Sequence, residues 1–201
     1  MVEKSLWMQK VAEDPTHSQW YIERFRSMAR EGMDLDGEAR MIDAMAPRNA
    51  HILDAGCGPG RVGGHLARAG HRVVGVDVDP ELIEAAGTDH PGPQWLVADL
   101  AELDLPTRGV DEPFDLIVSA GNVMAFLAPS TRGLVLARLR AHLSVDGRAV
   151  IGFGAGRDYS FTEFFDHAAN SGLVPDLLLS TWDLRPFTED SDFLVAVLRP
   201  A

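Results

Sequence analysis

The spacing of apolar residues before residue 50 predicts two helices. One apolar stripe recurs at helical intervals and consists of Tyr21, Ile22, Phe25, Met28 and Ala29. Residues 16–19 (Thr-His-Ser-Gln) fit a capping box at the start of this helix, and Gly32 is placed to end it. A second helix is predicted over about residues 36–46, because Pro47 interrupts the pattern.

From residue 51 onward, short apolar runs alternate with helical periodicity. Such runs predict five strands, at about residues 52–53, 72–77, 94–99, 114–119 and 147–153. Helices are predicted after the first, second, fourth and fifth of these strands. The clearest helix starts are Asp79 followed by Pro80, and a capping box at residues 160–163 (Ser-Phe-Thr-Glu).

Two further apolar runs close the chain, at about residues 177–184 and 193–198, with no helix between them. This arrangement predicts an antiparallel hairpin. Strands that alternate with helices favour a parallel sheet that is covered on both faces. The sequence therefore predicts an α/β fold whose seven-stranded sheet is mostly parallel and carries an antiparallel C-terminal strand.

Composition limits the class of protein. A chain of 201 residues, 46% hydrophobic and 24% charged, fits one globular domain over residues 1–201. The net charge of −12 argues against broad contacts with nucleic-acid phosphates. No run approaches the ~18 apolar residues of a membrane span, and the N-terminus lacks the apolar core of a signal peptide. With Cys57 as the single cysteine, we expect a cytoplasmic location.

The segment of residues 54–60, Asp-Ala-Gly-Cys-Gly-Pro-Gly, follows the first predicted strand. Glycine at alternate positions lets the backbone turn sharply and lets a ligand lie directly against it. A dinucleotide site would need the pattern G-x-G-x-x-G. Here the position of the third glycine of that pattern holds Arg61, so the segment favours a different nucleoside-bearing ligand.

Polar residues follow three further strands, where ligands of parallel sheets bind. Asp77 ends the second strand, 19 positions after Gly58, and an ionised carboxylate there can accept two ribose hydroxyl protons. Asp99 ends the third strand and could receive the amino group of an adenine, or it could be a plain strand-end residue. Asn122 follows the fourth strand, where a turn role is equally open. Asp79 fills the alternative role of helix cap more naturally than Asp77 does.

The ordered set of these motifs resembles the class I S-adenosylmethionine-dependent methyltransferases of the small, single-domain, bacterial type. Their first motif, acid-x-G-x-G-x-G, matches residues 54–60 in full, and the acids of their second and third motifs match Asp77 and Asp99. Residues 114–122 and 143–151 resemble the two segments that follow. The resemblance covers about residues 50–199 and implies a three-layer Rossmann-like methyltransferase fold.

The resemblance also implies S-adenosylmethionine as the cofactor and a set of residues around it. The implied cofactor-binding residues are Asp54, Gly56, Cys57, Gly58, Gly60, Asp77, Val78, Asp99, Leu100, Ala120, Gly121 and Asn122. Tyr21 and Arg24 of the predicted lid are further candidates for the cofactor, with a core tyrosine and a solvated helix-surface arginine as the alternatives. The glycines would lie beneath the methionine part, the acid at 54 would orient the amino end, and the acid at 77 would hold the ribose. Residues 1–49 would form a helical lid over a cofactor-binding core of residues 50–201. No metal site and no catalytic residue is assigned.

The acceptor of the methyl group is open at this point. We expect transfer by in-line displacement to a small molecule, with no membrane or nucleic-acid partner. A tRNA or protein acceptor is the alternative, and the basic residues Arg61, Arg68 and Arg72 fit it no better than they fit a solvated helix face. A third possibility is a cofactor-binding sensor or partner subunit that transfers nothing. Cys57 fits a small packing residue better than a nucleophile, because no flanking pattern suggests activation.

Overall fold

A seven-stranded sheet forms the centre of the computed structural model, which describes residues 2–201. The strands are β1 His51–Ala55, β2 Arg72–Asp77, β3 Gln94–Val97, β4 Phe114–Ser119, β5 Leu143–Gly154, β6 Leu173–Leu179 and β7 Phe193–Pro200. Their order is β3-β2-β1-β4-β5-β7-β6. Neighbours from β3 to β5 are parallel, whereas β7 is antiparallel to both of its neighbours. The prediction of a mostly parallel sheet with an antiparallel C-terminal strand is confirmed.

Helices cover both faces of the sheet and produce three layers. They are α1 Leu6–Glu13, α2 His17–Arg30, α3 Gly37–Met45, α4 Arg61–Arg68, α5 Pro80–Asp89, α6 Arg132–His142 and α7 Phe161–Asn170. Successive residues of β1 serve opposite faces: Leu53 packs in the core under α6 and α7, and Ile52 packs in the core under α3 and α4. Every helix within residues 2–201 is too short or too polar to span a lipid bilayer.

The N-terminal region departs from the sequence prediction in two ways. The short helix α1 was not predicted; Ser5 caps it by accepting a hydrogen bond from the N–H of Met8 at 3.2 Å. Thr16 makes no capping bond to α2. Its N–H and hydroxyl instead donate to Asp14, at 3.0 and 2.7 Å, so a local turn captures the hydroxyl that was expected to cap the helix.

Two boundaries in the C-terminal half also differ. β5 begins at Leu143 rather than near residue 147. β6 covers Leu173–Leu179 rather than about 177–184, because the chain turns after it and Leu184 has φ of +71°. The capping box at the start of α7 is confirmed, since Ser160 accepts from the N–H of Glu163 at 3.1 Å.

The ring of Trp95 on β3 fills the space between the sheet and the start of α4. Gly60 has φ of +83°, and an added Cβ there would lie 3.0 Å from the Trp95 ring and 2.8 Å from Ala86. A Cβ at Gly75, in the neighbouring strand, would overlap the same ring. The indole N–H donates to the carbonyl of His90 at 3.0 Å, which fixes the ring in this position. Glycine is therefore required at both positions for packing.

The carboxylate of Asp79 fastens the two N-terminal helices to the core. Asp79 is 2% exposed and caps α5 by accepting from the N–H of Glu81 at 2.9 Å. Its other oxygen accepts from Nε1 of Trp7 on α1, at 2.8 Å, and from the hydroxyl of Ser18 on α2. We call α1 and α2 together the roof. Asp79 thus caps α5 and also holds the roof against the core.

We predict that Asp79→Ala lowers the free energy of unfolding by about 3 kcal/mol, because a cap and two buried hydrogen bonds to a charged acceptor are lost together. Urea denaturation measures the change. Thr16→Ala is the matched control and should change stability by less than about 0.5 kcal/mol, since Thr16 caps no helix. Equal losses in the two variants would contradict the role assigned to Asp79.

Candidate functional site

A cavity lies at the carboxyl ends of β1, β2 and β4, beneath the roof. It encloses about 950 Å³ of empty space, part of it open to solvent. The loop of residues 56–59 forms one side, and Trp7, Tyr21 and Phe25 of the roof lie opposite. Parallel-sheet proteins bind ligands at this edge, so the fold places a pocket where the sequence motifs predicted one.

Eleven of the residues that the sequence assigned to the cofactor line this cavity. They are Tyr21, Asp54, Gly56, Cys57, Gly58, Asp77, Val78, Asp99, Leu100, Ala120 and Gly121. Tyr21 lies on α2. The strand order β3-β2-β1-β4 explains the convergence of the other ten, because the ends of four neighbouring strands meet at one edge of the sheet.

Three of the assigned residues lie outside the lining. Gly60 packs against Trp95. Asn122 turns away and accepts a hydrogen bond from the N–H of Gly154 at 2.8 Å, which ties the loop after β4 to the end of β5. Arg24 is exposed on α2, and its guanidinium lies over the ring of Trp20 at 5.8 Å.

Several lining residues were not expected in the site from the sequence. Trp7 belongs to the unpredicted α1, and Phe126 lies in a 3-10 turn at Val123–Phe126. Trp7 packs edge-on against both Tyr21 and Phe126, with ring centroids 5.2 and 5.7 Å apart. Phe25 was recognised only as part of an apolar stripe. Aromatic residues at helical spacing are ordinary core residues, so the pattern carried no signal for a pocket.

Asp54 is a buried carboxylate at the end of β1. It is 2% exposed, and one of its oxygens accepts from the N–H of Gly63, at the start of α4, at 2.8 Å. Burial raises its pKa to about 7, an effect that this N–H and the nearby Arg61 only partly offset. Asp54 is thus poised to pair with a cation that enters the cavity.

Asp77 connects β2 to the glycine loop. Its two oxygens accept from the N–H groups of Gly58, at 2.9 Å, and Asp79, at 3.0 Å. Burial raises its pKa to about 6, against the lowering effect of these backbone donors. Each oxygen keeps a free lone pair, so the carboxylate can still accept hydroxyl protons from a ligand.

Asp99 and Cys57 also line the cavity. Asp99 accepts from the N–H of Ala101 at 2.9 Å and so starts a short 3-10 turn at Leu100–Glu102. The Cys57 thiol is buried, and burial raises its pKa well above the ordinary value, which makes a thiolate unfavourable. Within residues 2–201, no three His, Cys, Asp or Glu side chains cluster closely enough to hold a metal ion.

Tyr21 lies between the glycine loop and the end of β4. An added Cβ would be 3.8 Å from its ring at Gly58 and 3.9 Å from its hydroxyl at Gly121. Tyr21 therefore lies close to both segments, and a side chain at position 58 would point toward its ring. Burial raises the pKa of the Tyr21 hydroxyl, so it stays protonated at neutral pH.

These features fit S-adenosylmethionine, whose zwitterionic amino-acid end, ribose diol and adenine need different neighbours. Buried Asp54 suits the ammonium, Asp77 suits the diol, and Val78, Leu100 and Phe126 offer apolar surface for a base. The glycine loop allows close approach of the methionine part.

We predict that Asp54→Asn stabilises the ligand-free protein at high pH. The folded-state pKa of about 7 lies above the ordinary 3.8, so burial of the charge costs stability that grows as pH rises from about 4 to 7. Asparagine can accept the Gly63 bond and carries no charge. Its stability gain should be about 2 to 3 kcal/mol larger near pH 8 than near pH 4.5, as measured by urea denaturation. The exposed Asp111→Asn is the control, and a pH-independent gain at position 54 would refute the assignment.

Comparison with known proteins agrees with this geometry. The family described as "Methyltransferase domain" matches residues 52–147. Among curated proteins, an uncharacterized methyltransferase of Mycobacterium tuberculosis is 37% identical over 82 residues, which cover 39% of this chain and 40% of that protein. Magnesium-protoporphyrin O-methyltransferase of Rhodobacter capsulatus is 32% identical over 135 residues, 62% of this chain and 56% of that protein. The chain thus spans about half or less of the length of these curated relatives.

Solved structures are similar over nearly the whole chain. A TehB-like S-adenosylmethionine-dependent methyltransferase from Corynebacterium glutamicum is 50% identical, with a TM-score of 0.88, over 94% of this chain and 100% of that one. A methyltransferase from Clostridium acetobutylicum has a TM-score of 0.77 at 10% identity, over 91% and 98% of the two chains, and shows the shared fold. The chain belongs to the class I S-adenosylmethionine-dependent methyltransferases.

Proposed function

We propose that this methyltransferase transfers the methyl group to a small molecule that binds inside the cavity under the roof. The observation that carries this proposal is the roof itself. Trp7 and Tyr21 close over the cavity, and Asp79 holds α1 and α2 in that position. An acceptor therefore has to enter the protein, which favours a compact molecule over a surface of tRNA or protein.

The lining of the cavity and the charge of the chain support the same acceptor class. Small-molecule sites are mostly apolar. Aromatic and aliphatic side chains make up much of the wall of this cavity. The net charge of −12 disfavours a polyanionic acceptor such as tRNA.

In this proposal, the cofactor contacts the eleven lining residues named above. Asp54 binds the amino group, Asp77 the ribose, and Asp99 with Leu100 the adenine, while Ala120 and Gly121 form the floor near the sulfonium. Gly60 and Asn122 support the site by shape, because they hold the loops after β1 and β4. Residues 2–49 act as the lid over a core of residues 50–201, all within one domain; Met1 lies outside the described residues. The single cysteine supports a cytoplasmic location.

The chemistry then depends on positioning. When bound, S-adenosylmethionine supplies a methyl group that is already activated by the sulfonium. The floor at Ala120 and Gly121 and the ring of Tyr21 limit the directions from which an acceptor can approach. Such alignment contributes a large part of the rate of a displacement reaction.

We further propose that the acceptor arrives as a ready nucleophile. Six ionisable side chains line the cavity within residues 2–201, and three of them are the acids already assigned to the cofactor. The others are Tyr21 and Cys57, whose pKa values are raised by burial, and the cation Arg61. None of these three serves well as a general base at neutral pH.

Labelled methyl transfer tests the acceptor class. The protein and methyl-labelled S-adenosylmethionine are incubated separately with an ultrafiltered metabolite pool, with tRNA and with a protein lysate. We expect label in the metabolite pool alone. Gly58→Ala is the control, because its methyl group projects into the cavity and should abolish transfer at a stability cost of about 1 to 2 kcal/mol.

Other outcomes separate the alternatives. Label that appears only in tRNA or protein contradicts the small-molecule proposal. Tight binding of S-adenosylmethionine without transfer to any pool indicates a sensor or partner subunit.

Tyr21→Phe and Cys57→Ala test the absence of a general base. Both should retain kcat within about threefold, because neither group takes a proton in the proposed mechanism. The measurement is kcat against pH with an acceptor found in the metabolite pool. A loss of about 100-fold in Tyr21→Phe, together with disappearance of an ionisation from its pH profile, would identify the hydroxyl as a base and overturn this part of the proposal.

A further inference from the structure

Two glycines at the end of β5 share a face of the sheet with the floor of the cavity. Ser119 of β4 pairs with Ile151 of β5. The residues that follow them, Ala120 and Gly152, are therefore neighbours on adjacent strands. Gly152 and Gly154 belong to one face, because successive residues of a strand alternate between faces. We call the bare backbone of these two glycines on this face the shelf. Ala120 lines the cavity and adjacent strands lie about 5 Å apart, so the shelf adjoins the cavity floor.

The ring of Trp182 lies directly against the shelf. An added Cβ at Gly152 would come within 2.4 Å of this ring, so only glycine leaves room for it. Trp182 follows β6, packs against the same core layer as Ala120 and remains partly exposed. Phe193 of β7 borders the other glycine, since its ring would lie 3.6 Å from a Cβ at Gly154. Two aromatic rings thus border a stretch of backbone that carries no side chains.

The proposed position of the cofactor leaves this side of the cavity to the acceptor. Asp54, Asp77 and Asp99 come from the ends of β1, β2 and β3, which lie on one side of β4 in the sheet, whereas β5 lies on its other side. In-line displacement requires the acceptor to face the methyl group from the side opposite the sulfur. With the adenosine near β1 to β3 and the sulfonium near Ala120 and Gly121, the acceptor has the end of β5 as its free approach.

Uncharged groups surround Gly154. The three nearest atoms to a Cβ at this position belong to the ring of Phe193, the side-chain carbonyl of Asn122 and the backbone carbonyl of Asp192. Asn122 is held there because its oxygen accepts from the N–H of Gly154 at 2.8 Å. These nearest groups offer aromatic contact and hydrogen-bond acceptors rather than a counter-ion for a charged molecule.

The indole N–H of Trp182 is available to a ligand. It donates to no group within residues 2–201, whereas the indole N–H groups of Trp7 and Trp95 are both bonded inside the protein. A tryptophan ring that is largely covered usually pairs this donor. An unused donor beside the cavity therefore agrees with a surface that binds a molecule.

We infer that Trp182 and the shelf form the acceptor subsite, and that the acceptor is a planar aromatic or heteroaromatic molecule. The inference rests on the proposed function. Bare backbone lets such a ring approach Trp182 closely, and aromatic rings attract each other in offset or edge-to-face arrangements. The nucleophilic atom of the acceptor bonds the methyl carbon with its own lone pair while the carbon–sulfur bond breaks, and the electron pair of that bond stays on the sulfur.

Gly154→Ala tests the shelf and is compatible with the fold. Its Cβ would meet its nearest neighbours at 3.5 to 3.7 Å, which is ordinary contact. The probe is an ultrafiltered metabolite pool in a dilution series, with saturating methyl-labelled S-adenosylmethionine. We expect the pool concentration for half-maximal transfer to rise about 10-fold, because the added methyl group occupies the shelf. The affinity for S-adenosylmethionine, measured by calorimetry, should stay within about twofold.

Gly133→Ala is the matched control for this variant. It lies on α6, which covers the opposite face of the sheet, and its Cβ would lie 3.5 Å from the ring of His167. The same change in equally ordinary contact should alter neither the pool dependence nor the affinity for S-adenosylmethionine.

Two variants of Trp182 test the ring itself. Trp182→Leu keeps an apolar side chain without a planar ring, and should raise the pool concentration for half-maximal transfer about 10-fold. Trp182→Phe restores a planar ring and should stay within about threefold of the wild-type protein. Both should bind S-adenosylmethionine with wild-type affinity. The main labelled product of the wild-type protein, separated by chromatography, should show the ultraviolet absorption of an aromatic ring.

Three results would overturn the inference while leaving the proposed function in place. The first is a labelled small-molecule product without an aromatic ring. The second is an unchanged pool dependence in both Gly154→Ala and Trp182→Leu. The third is an equal loss of affinity for S-adenosylmethionine in these variants, which would make the shelf and Trp182 structural. If the wild-type protein labels nothing in the metabolite pool, the proposed function fails and the inference falls with it.

Discussion

The hydrogen bond from the N–H of Gly58 to Asp77, 2.9 Å long, is the contact on which the cavity depends. β1 and β2 run side by side in register, so the loop that leaves β1 lies against the carboxylate that ends β2. The backbone donor shapes the loop and also favours the charged form of an acid whose pKa burial raises to about 6. One interaction therefore fixes both the shape of the loop that lines the cavity and the charge state of the acid beside it.

The roof, which forms the opposite wall of the cavity, is attached to Asp79, only two residues after Asp77. Asp77 holds the loop, and Asp79 holds the roof through Trp7 and Ser18. Asp77 ends β2 and Asp79 caps α5 two residues later, so a short stretch of backbone connects the loop contact to the roof contact. Arg61 adds a third connection, from the first turn of α4 to Glu38 on α3. The site thus consists of separate elements that are held together by buried polar contacts.

Sequence patterns predicted the central strands accurately because continuous apolar runs mark them. The predicted bounds of β2 and β4 match the structure. The edge of the sheet that carries the cavity could be predicted from the positions of the strand ends alone. The misses have a common cause: α1 is short, and its burial depends on a bond between Trp7 and an acid 72 positions away. Likewise, local sequence does not tell whether Arg24 or Arg61 faces the cavity, since the direction of each depends on how its helix packs.

Several glycines in and near residues 54–60 leave room for a neighbouring side chain, and Trp95 is one such neighbour. Its ring takes the space that side chains at positions 60, 63 and 75 would need. Packing against Trp95 therefore constrains these positions independently of any ligand. Over evolutionary time, a smaller residue at 95 would relax the demand for glycine at 75, whereas Gly58, whose φ is +53°, would stay constrained by its own backbone. Covariation among related chains would then separate the glycines that make room for Trp95 from those that the backbone requires.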